Sequence, residues 1–408
     1  MIVMGHPTGN ANSRHAARAL CEAGLLSEFH TAIAWRGDRF PAPLVPAPLR
    51  RELERRAWPE LPPALVRTSP WREMARLLHG RMGRRAPAWC DVDAVYGALD
   101  RKMAAALARP GIRAVYAYED GALASFRVAR RRGLRTLYDL PIAYWKPLHH
   151  LSAEEREREP AWAATLTALG DGPEKLARKA EELSLADRVF VASSYTAETL
   201  RGEIAPEKVS VIPYGSGSDD APVPRRTAWS AAPEPLRVLY VGSLSQRKGL
   251  SYLFSALEQA GAGCALTVIG RKVTDRPCPA LDAALSRPGC RWIPSLPHAG
   301  VLAEMERHDV LVFPSLFEGF GLVIPEAMSR GMAVIATPHT AAPDLIEDGR
   351  DGFLVPIRSA EAIAARLDLL RSDRDRLRAV GAAAQARAAA LRWEAYCSRL
   401  VAGVREML

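Results

Sequence analysis

No apolar run in this 408-residue chain approaches the roughly 18–20 residues needed to span a bilayer, which argues against a helical integral membrane protein. The opening Met1-Ile2-Val3-Met4-Gly5-His6-Pro7 lacks a basic flank and a long apolar stretch, so no secretory signal is expected and a cytoplasmic location follows. Cysteines are few and scattered (Cys21, Cys90, Cys264, Cys278, Cys290, Cys397). With no C-x2-C pair and no His-x3-His partner, they read as reduced, packed thiols rather than a zinc site. A G-x-G-x-x-G fingerprint is also missing. The first strand–helix turn offers only Gly5 and Gly9, and the second half only Gly242 and Gly249, which argues against a nicotinamide-dependent oxidoreductase. The strings Asp91-Val92-Asp93 and Asp373-Arg374-Asp375 do not follow apolar strands, so no metal is expected on them.

What is present is a charge asymmetry. The net charge is +9, but residues 1–150 hold 24 Lys/Arg against 13 Asp/Glu, or +11, while the remainder holds 31 against 33, or −2. Arginine groups at Arg50-Arg51, Arg55-Arg56, Arg72, Arg76, Arg81, Arg84-Arg85 and Arg130-Arg131-Arg132 point to an anionic partner or to plainly solvated faces. Trp58, Trp71 and Trp89 lie beside these arginines, a composition suited to an anionic membrane surface. Nucleic acid is not an expected partner, because neither interleaved surface aromatics nor a recognisable module accompanies the charge.

Short apolar runs alternate with amphipathic stretches. The runs are the first strand, Val115–Tyr118, Arg135–Pro141, Arg188–Ala192, Val209–Pro213, Arg237–Gly242, Ala265–Gly270, Asp309–Pro314, Ala333–Thr337 and Phe353–Val355. Helical patterns include Glu174–Ala186, Leu250–Ala260, Ala360–Leu370 and a tail from Arg374 to Leu408 in two pieces. Such alternation predicts parallel sheets covered by helices on both faces. The Pro/Ala/Ser-rich stretch 216–235 reads as a linker, giving domains 1–215 and 236–390 and a final helix 391–408.

Two segments carry chemistry. Val238-Leu-Tyr-Val-Gly242-Ser243-Leu-Ser-Gln-Arg247-Lys248-Gly249 is strand, polar turn and helix start, with two cations where backbone amides favour anions. Phe313-Pro314-Ser315-Leu316-Phe317-Glu318-Gly319-Phe320-Gly321-Leu322-Val323-Ile324-Pro325-Glu326 places two carboxylates eight residues apart on one loop–helix unit, with the amides of Phe320, Gly321 and Leu322 between them. An ionised carboxylate accepts from two hydroxyls, which suits sugar and ribose diols.

At these residues the sequence resembles the retaining GT-B glycosyltransferases with an E-x7-E motif, the family of sucrose synthases and bacterial lipid mannosyltransferases. The resemblance is clear over Arg237–Pro356 and looser over Glu181–Gly215. It implies an α/β protein of GT-B architecture, two Rossmann-like parallel-sheet domains facing a cleft, with the C-terminal helix crossing back to the N-terminal domain. It implies a nucleoside diphosphate sugar donor, a hydroxyl-bearing acceptor, transfer of a hexosyl group with retention, and neither cofactor nor metal. Glu318 with the amides near Phe320 and Gly321 would hold the donor sugar, Glu326 the ribose, and Lys248 with Arg247 the diphosphate. Gly270-Arg271 and Ser295-Leu296-Pro297 would seat the base. Ser243 stands where many members carry Arg, and His339-Thr340-Ala341-Ala342-Pro343-Asp344 replaces the family's Gly-Gly-x-Pro-Glu turn. A partner subunit that binds nucleotide sugar without turnover is the alternative.

On the acceptor side the resemblance implies a first loop facing the cleft and a strand end near the reacting carbon, where related enzymes often carry a His and Arg135–Pro141 has none. The loop His6-Pro7-Thr8-Gly9-Asn10 follows the first strand, and Gly9 and Asn10 are candidate contacts for donor phosphate or acceptor. Asp139, at the end of Arg135–Pro141, is the candidate for orienting the acceptor or taking its proton, followed by Glu119-Asp120 and then by His149 and His150.

Overall fold

The computed structural model describes residues 1–37, 45, 47–166, 171–216 and 226–408, so residues 217–225 of the expected linker lie outside the described residues. Strands that are apolar on both faces can bury both only inside a parallel sheet flanked by helices. The first half supplies β1 (Ile2–Gly5), β2 (Leu26–Thr31), β3 (Val66–Thr68), β4 (Ala114–Tyr118), β5 (Arg135–Leu140), β6 (Arg188–Val191) and β7 (Val209–Val211). These pair in parallel in the order β3-β2-β1-β4-β5-β6-β7. The second half supplies β8 (Leu236–Val241), β9 (Cys264–Ile269), β10 (Cys290–Ile293), β11 (Val310–Phe313), β12 (Ala333–Ala336) and β13 (Phe353–Leu354), in the order β10-β9-β8-β11-β12-β13. All four residues of β1, β11 and β12 are buried, as the apolar runs predict.

Each order reverses direction once, between β1 and β4 in the first sheet and between β8 and β11 in the second. At such a switch point the loops leaving two neighbouring strands diverge and open a crevice beyond the carboxyl ends. The loops concerned are 6–10 and 119–122 in the first domain, and 242–249 and 314–322 in the second. The fold therefore delivers the two chemistry-bearing segments of the second half to one crevice.

The predicted helices form over Pro173–Ser184, Leu250–Ala260, Ala360–Ser372, Arg374–Ala388 and Trp393–Arg405. The last returns to the first domain and packs on the helix Ala11–Glu22, with Trp393 stacked on His15 at 3.9 Å. Where the chain leaves the first domain, the Ser216 amide donates to the Leu391 carbonyl at 2.8 Å, so the outgoing and returning strands of chain run side by side. Asp91 and Asp373, the heads of the two D-x-D strings, cap helices by accepting from the amides of Ala94 and Arg376, each at 2.8 Å. Among the described residues no helix is long and apolar enough to cross a membrane.

One helix serves the opposite domain. Trp145–Arg158 follows β5, yet its Glu155, fully buried, accepts from Gln246 Nε2 at 2.8 Å, Tyr252 Oη at 2.9 Å and Arg358 Nε at 2.8 Å. Next to it, the Thr165 hydroxyl accepts from the Gln246 amide at 2.8 Å, and its carbonyl accepts from the Ser245 hydroxyl at 2.8 Å. A carboxylate so enclosed is held only because every donor is in place. Glu155→Ala should lower stability by about 3 kcal/mol, since it removes the buried acceptor of Gln246, Tyr252 and Arg358, leaving Arg358 only Glu154 and the Leu151 carbonyl. Urea unfolding followed by tryptophan fluorescence checks this, and an unchanged midpoint would show that the contact carries no energy.

Candidate functional site

The second-domain crevice is built by two turns. After β8 the chain makes a short turn over Gln246–Lys248 and ends it at Gly249, whose φ of 70° is left-handed. The Pro314 carbonyl of the neighbouring loop lies where a Cβ would stand, so position 249 needs glycine for conformation and for space. That tight turn aims Arg247 and Lys248 across the switch point at the loop after β11. Arg247 Nη1 lies 3.2 Å from both carboxylate oxygens of Glu318 and 3.1 Å from the Phe317 carbonyl, and Lys248 Nζ bonds Glu318 directly. Residues 70 positions apart in sequence thus share one cluster.

The two cations outnumber the single carboxylate and are half-buried to buried. Burial, reinforced by Arg247, pushes the Lys248 ammonium well below its ordinary value despite its contact with Glu318. Burial also lowers the Arg247 guanidinium. A second anion brought here would relieve both. The neighbouring amides of Phe320, Gly321 and Leu322 donate to no acceptor among the described residues. Glu326, in the helix Val323–Ser329, bonds His298 Nε2 at 2.9 Å. That bond raises the imidazole above its usual value. On the same side Arg271 Nη2 donates to Ser295 Oγ at 3.2 Å, joining the two segments expected to seat a base, and Trp292 Nε1 donates to the Gly270 carbonyl at 2.9 Å. Ser243 contributes its carbonyl, which accepts from the Tyr240 hydroxyl at 2.9 Å.

The first domain grips the same loop. The Gly319 carbonyl accepts from Ser193 Oγ at 2.5 Å and from Thr196 Oγ1 at 3.1 Å, while its α-carbon sits against the Pro141 carbonyl with no room for a side chain. Phe320 packs on Tyr214 at 5.1 Å. The Asp344 carboxylate of the altered turn accepts from the Ser194 amide at 2.8 Å, and His339 stacks on Tyr195 at 4.7 Å. Sequence reading missed Gly319 and Asp344 as junction residues and His298 as the partner of Glu326. His298 alone had a signal, since it opens a helix directly after the Ser295–Pro297 segment.

On the acceptor side, Asp139 is buried at the end of β5 and its Oδ2 accepts from the Tyr116 hydroxyl at 2.6 Å. Burial raises its carboxyl to about 7. Glu119, also raised to about 7 by burial, lies 3.5 Å from Lys179. Gly9 accepts from Arg14 Nε at 3.3 Å through its carbonyl, and the Asn10 side chain caps the first helix by accepting from the Ser13 amide at 3.0 Å. His6, buried at the end of β1, stands edge-on to Tyr118 at 4.7 Å, and burial lowers it to about 4. His149 lies against Trp145, and His150 pairs outward with Glu154 at 3.0 Å.

Two parallel switch-point sheets facing one another, with the last helix returning to the first, define a GT-B α/β protein. Residues 225–387 match the family model "Glycosyl transferases group 1". It is 30% identical over 261 residues to the D-inositol 3-phosphate glycosyltransferase of Segniliparus rotundus, a match covering 59% of this chain and 58% of that protein, under two thirds of its length. Among solved structures it is similar to sucrose-phosphate synthase from Thermosynechococcus elongatus, with a TM-score of 0.67 and 20% identity over 100% of this chain and 98% of that one. Anabaena HepE, solved in complex with UDP-glucose, has a TM-score of 0.63 at 15% identity, with 99% of each chain covered. At these identities the two structures speak for the fold.

The Asp139 environment makes a pH prediction. Its ordinary value is 3.8 and its folded value about 7, so between these limits the folded protein keeps a proton that the unfolded chain has released. Its contribution to stability is full below about pH 4, declines up to about pH 7, and is flat above. Asp139→Asn should therefore gain stability relative to the parent as pH rises through this window, measured by urea titration at several pH values. Parallel curves for the two proteins would contradict a buried, proton-holding carboxyl.

Proposed function

We propose that this protein transfers a hexosyl group from a nucleoside diphosphate sugar to an acceptor hydroxyl, with retention at the anomeric carbon and without a metal. The observation that carries this reading is the Arg247–Lys248–Glu318 cluster at the β8/β11 switch point, with Glu326 on the helix that follows. In a nucleotide sugar the sugar hydroxyls, the diphosphate and the ribose follow one another within a few bonds. A carboxylate for sugar hydroxyls must then touch the cations for phosphate, as Glu318 does, and a second carboxylate must stand farther along for the ribose, as Glu326 does. The unpaired amides of Phe320, Gly321 and Leu322 lie between the two along the chain and suit phosphate or sugar oxygens.

In the reaction the bond from the anomeric carbon to the diphosphate oxygen breaks and its electrons leave with the diphosphate, through an oxocarbenium-like transition state. The acceptor oxygen bonds that carbon, and the products are the glycoside, the nucleoside diphosphate and a proton. Arg247 and Lys248 stabilise the charge growing on the leaving group, in a partly dehydrated site where such stabilisation is large. Gly270, Arg271 and Ser295 take the base side, and Ser243 the turn beside the phosphates. Gly9 and Asn10, after β1, face the donor phosphates or the acceptor. Asp139, enclosed by Tyr116, acts on the acceptor by positioning rather than by contact. Domain limits of 1–215 and 236–390 around a linker, a cytoplasmic site of action and a peripheral association with an anionic membrane complete the reading. The structure of HepE with UDP-glucose and the inositol phosphate acceptor in the name of the Segniliparus relative support the donor and acceptor classes.

Calorimetric titration with UDP, GDP and ADP, each with EDTA and with magnesium, tests the donor site. One nucleotide should bind equally well in both conditions. Glu326→Ala should weaken it roughly tenfold to a hundredfold, the value of a charged hydrogen bond. Glu318→Ala should leave nucleotide binding within a few-fold and lower transfer instead. Failure of all three nucleotides to bind, or loss of binding in EDTA, would overturn the respective parts.

A further inference from the structure

The helix Pro70–Arg81 follows β3 and turns one face away from the protein. Trp71 is 79% exposed, Met74 51%, Leu78 60% and Met82, just past the helix end, 49%. At 100° per residue these four positions fall within about 80° of arc, one continuous stripe. Arg72 donates to the Trp89 carbonyl, which holds Trp89 (57% exposed) and then Val92 (53%) beside the same helix. Nine large apolar side chains are exposed among the described residues, and six of them lie in this one patch. Trp58, grouped with Trp71 and Trp89 in the sequence, does not join them: it is 6% exposed and packs on Phe29.

The charge along the stripe is mostly positive, with Glu52 near Arg81 and with Asp91 and Asp93 flanking Val92. Residues 71–90 contain five arginines and a single acid, Glu73. Glu73 is buried on the far side of the helix, bonded to Arg56 at 2.9 Å and Arg76 at 2.7 Å. The exposed charges are Arg81, Arg84 and Arg85, at the end of the stripe.

We propose that this patch is a docking face for an anionic lipid bilayer, with the helix lying in the interface plane, its apolar stripe at the boundary between headgroups and acyl chains and its arginines on lipid phosphates. Twelve residues of helix are about 18 Å long, too short to cross but suited to lie flat. Tryptophan at the stripe's head fits the headgroup boundary, where its ring is apolar and its N–H is wet. A second copy of the chain fits worse, because residues 71–90 offer no exposed acid to meet Arg81, Arg84 and Arg85. The face also has a useful position. Val92 begins the helix whose next residue, Asp93, bonds Arg178 at 2.8 Å together with Asp120, 3.0 Å away, at the carboxyl end of β4. The bilayer would thus adjoin the acceptor side of the crevice.

This deepens the peripheral-membrane part of the proposed function and is independent of its donor chemistry, because lipid binding is read with no nucleotide present. The full chain is sedimented with vesicles of phosphatidylcholine alone and of phosphatidylcholine with phosphatidylglycerol, at low and high salt, while tryptophan emission is recorded. Binding to the anionic vesicles, a blue shift and weakening by salt are expected. Arg81→Gln, Arg84→Gln and Arg85→Gln combined should lower the partition coefficient roughly a hundredfold. Trp71→Ser with Leu78→Ser should abolish the blue shift, and both variants should bind nucleotide as the parent does. Absence of binding to anionic vesicles, or equal binding by either variant, overturns the proposal. So does a dimer in sedimentation velocity that the Trp71/Leu78 changes dissociate in a protein that ignores vesicles. Loss of nucleotide binding in the parent with vesicle binding intact would instead count against the donor site alone.

Discussion

Two buried cations cannot share a low-polarity crevice without an anion, and the second domain supplies one carboxylate for two positive groups. Glu318 touches both Arg247 and Lys248, and the deficit it leaves is what makes the crevice receptive to further negative charge. A crevice with balanced charges would have nothing to gain from a diphosphate, and one with no carboxylate would force its lysine to shed its proton. The cluster's value therefore lies in being one charge short. Its assembly depends on small features, namely a left-handed glycine that reverses the chain beside Lys248 and a side-chain-free position next to Glu318.

The first domain holds both halves of that cluster without contributing a charge to it. Through Glu155 and Thr165 it fixes Gln246, the residue before Arg247. Through Ser193 and Thr196 it fixes the carbonyl of Gly319, the residue after Glu318. Each loop is thus gripped one residue from its functional side chain. Any rotation of one domain against the other must move the cations and the carboxylate together or break these bonds. Relative domain position and donor-site geometry are mechanically one variable.

The positions of most strands and the identity of the charged donor loops were legible because most of these parallel strands are apolar and their turns are not. Three strands escaped for physical reasons. β2 carries Glu28 and His30 inside the sheet, where Arg67 and His30 satisfy the carboxylate, so its pattern is broken by polar residues that burial would ordinarily exclude. β3 is three residues on an edge, and β10 is an edge strand with Arg291 and Trp292 turned outward. The meeting of Arg247, Lys248 and Glu318 is a consequence of topology, which residue types and a motif anticipated. Glu155 was invisible because it acts across domains: nothing in an amphipathic helix after β5 tells that one of its glutamates will be buried against the other sheet. The acceptor crevice was illegible for a different reason. Tyr116, Tyr118 and Asp139 look like ordinary strand interior, and only the register of β4 against β5 brings the tyrosine hydroxyl to the carboxylate.

Net charge shows the same limit from the other direction. The +11 of the first 150 residues suggested an anionic partner, but much of it is consumed internally. Arg14 meets Glu60, Arg56 and Arg76 meet Glu73, Arg67 and Arg109 meet Glu28, Arg127 meets Glu181, and Arg130 meets Asp187. Charge locked in such pairs holds the domain together and projects little field. What distinguishes one surface is the coincidence of exposed arginines with an apolar stripe that no described residue covers. Among the described residues the helix Pro70–Arg81 and the loop beyond it combine the two, and neither the charge total nor the tryptophan count could have selected that helix. Its selection required knowing that Trp58 turns inward and Trp71 outward, a difference set by which of them meets Phe29 across the sheet.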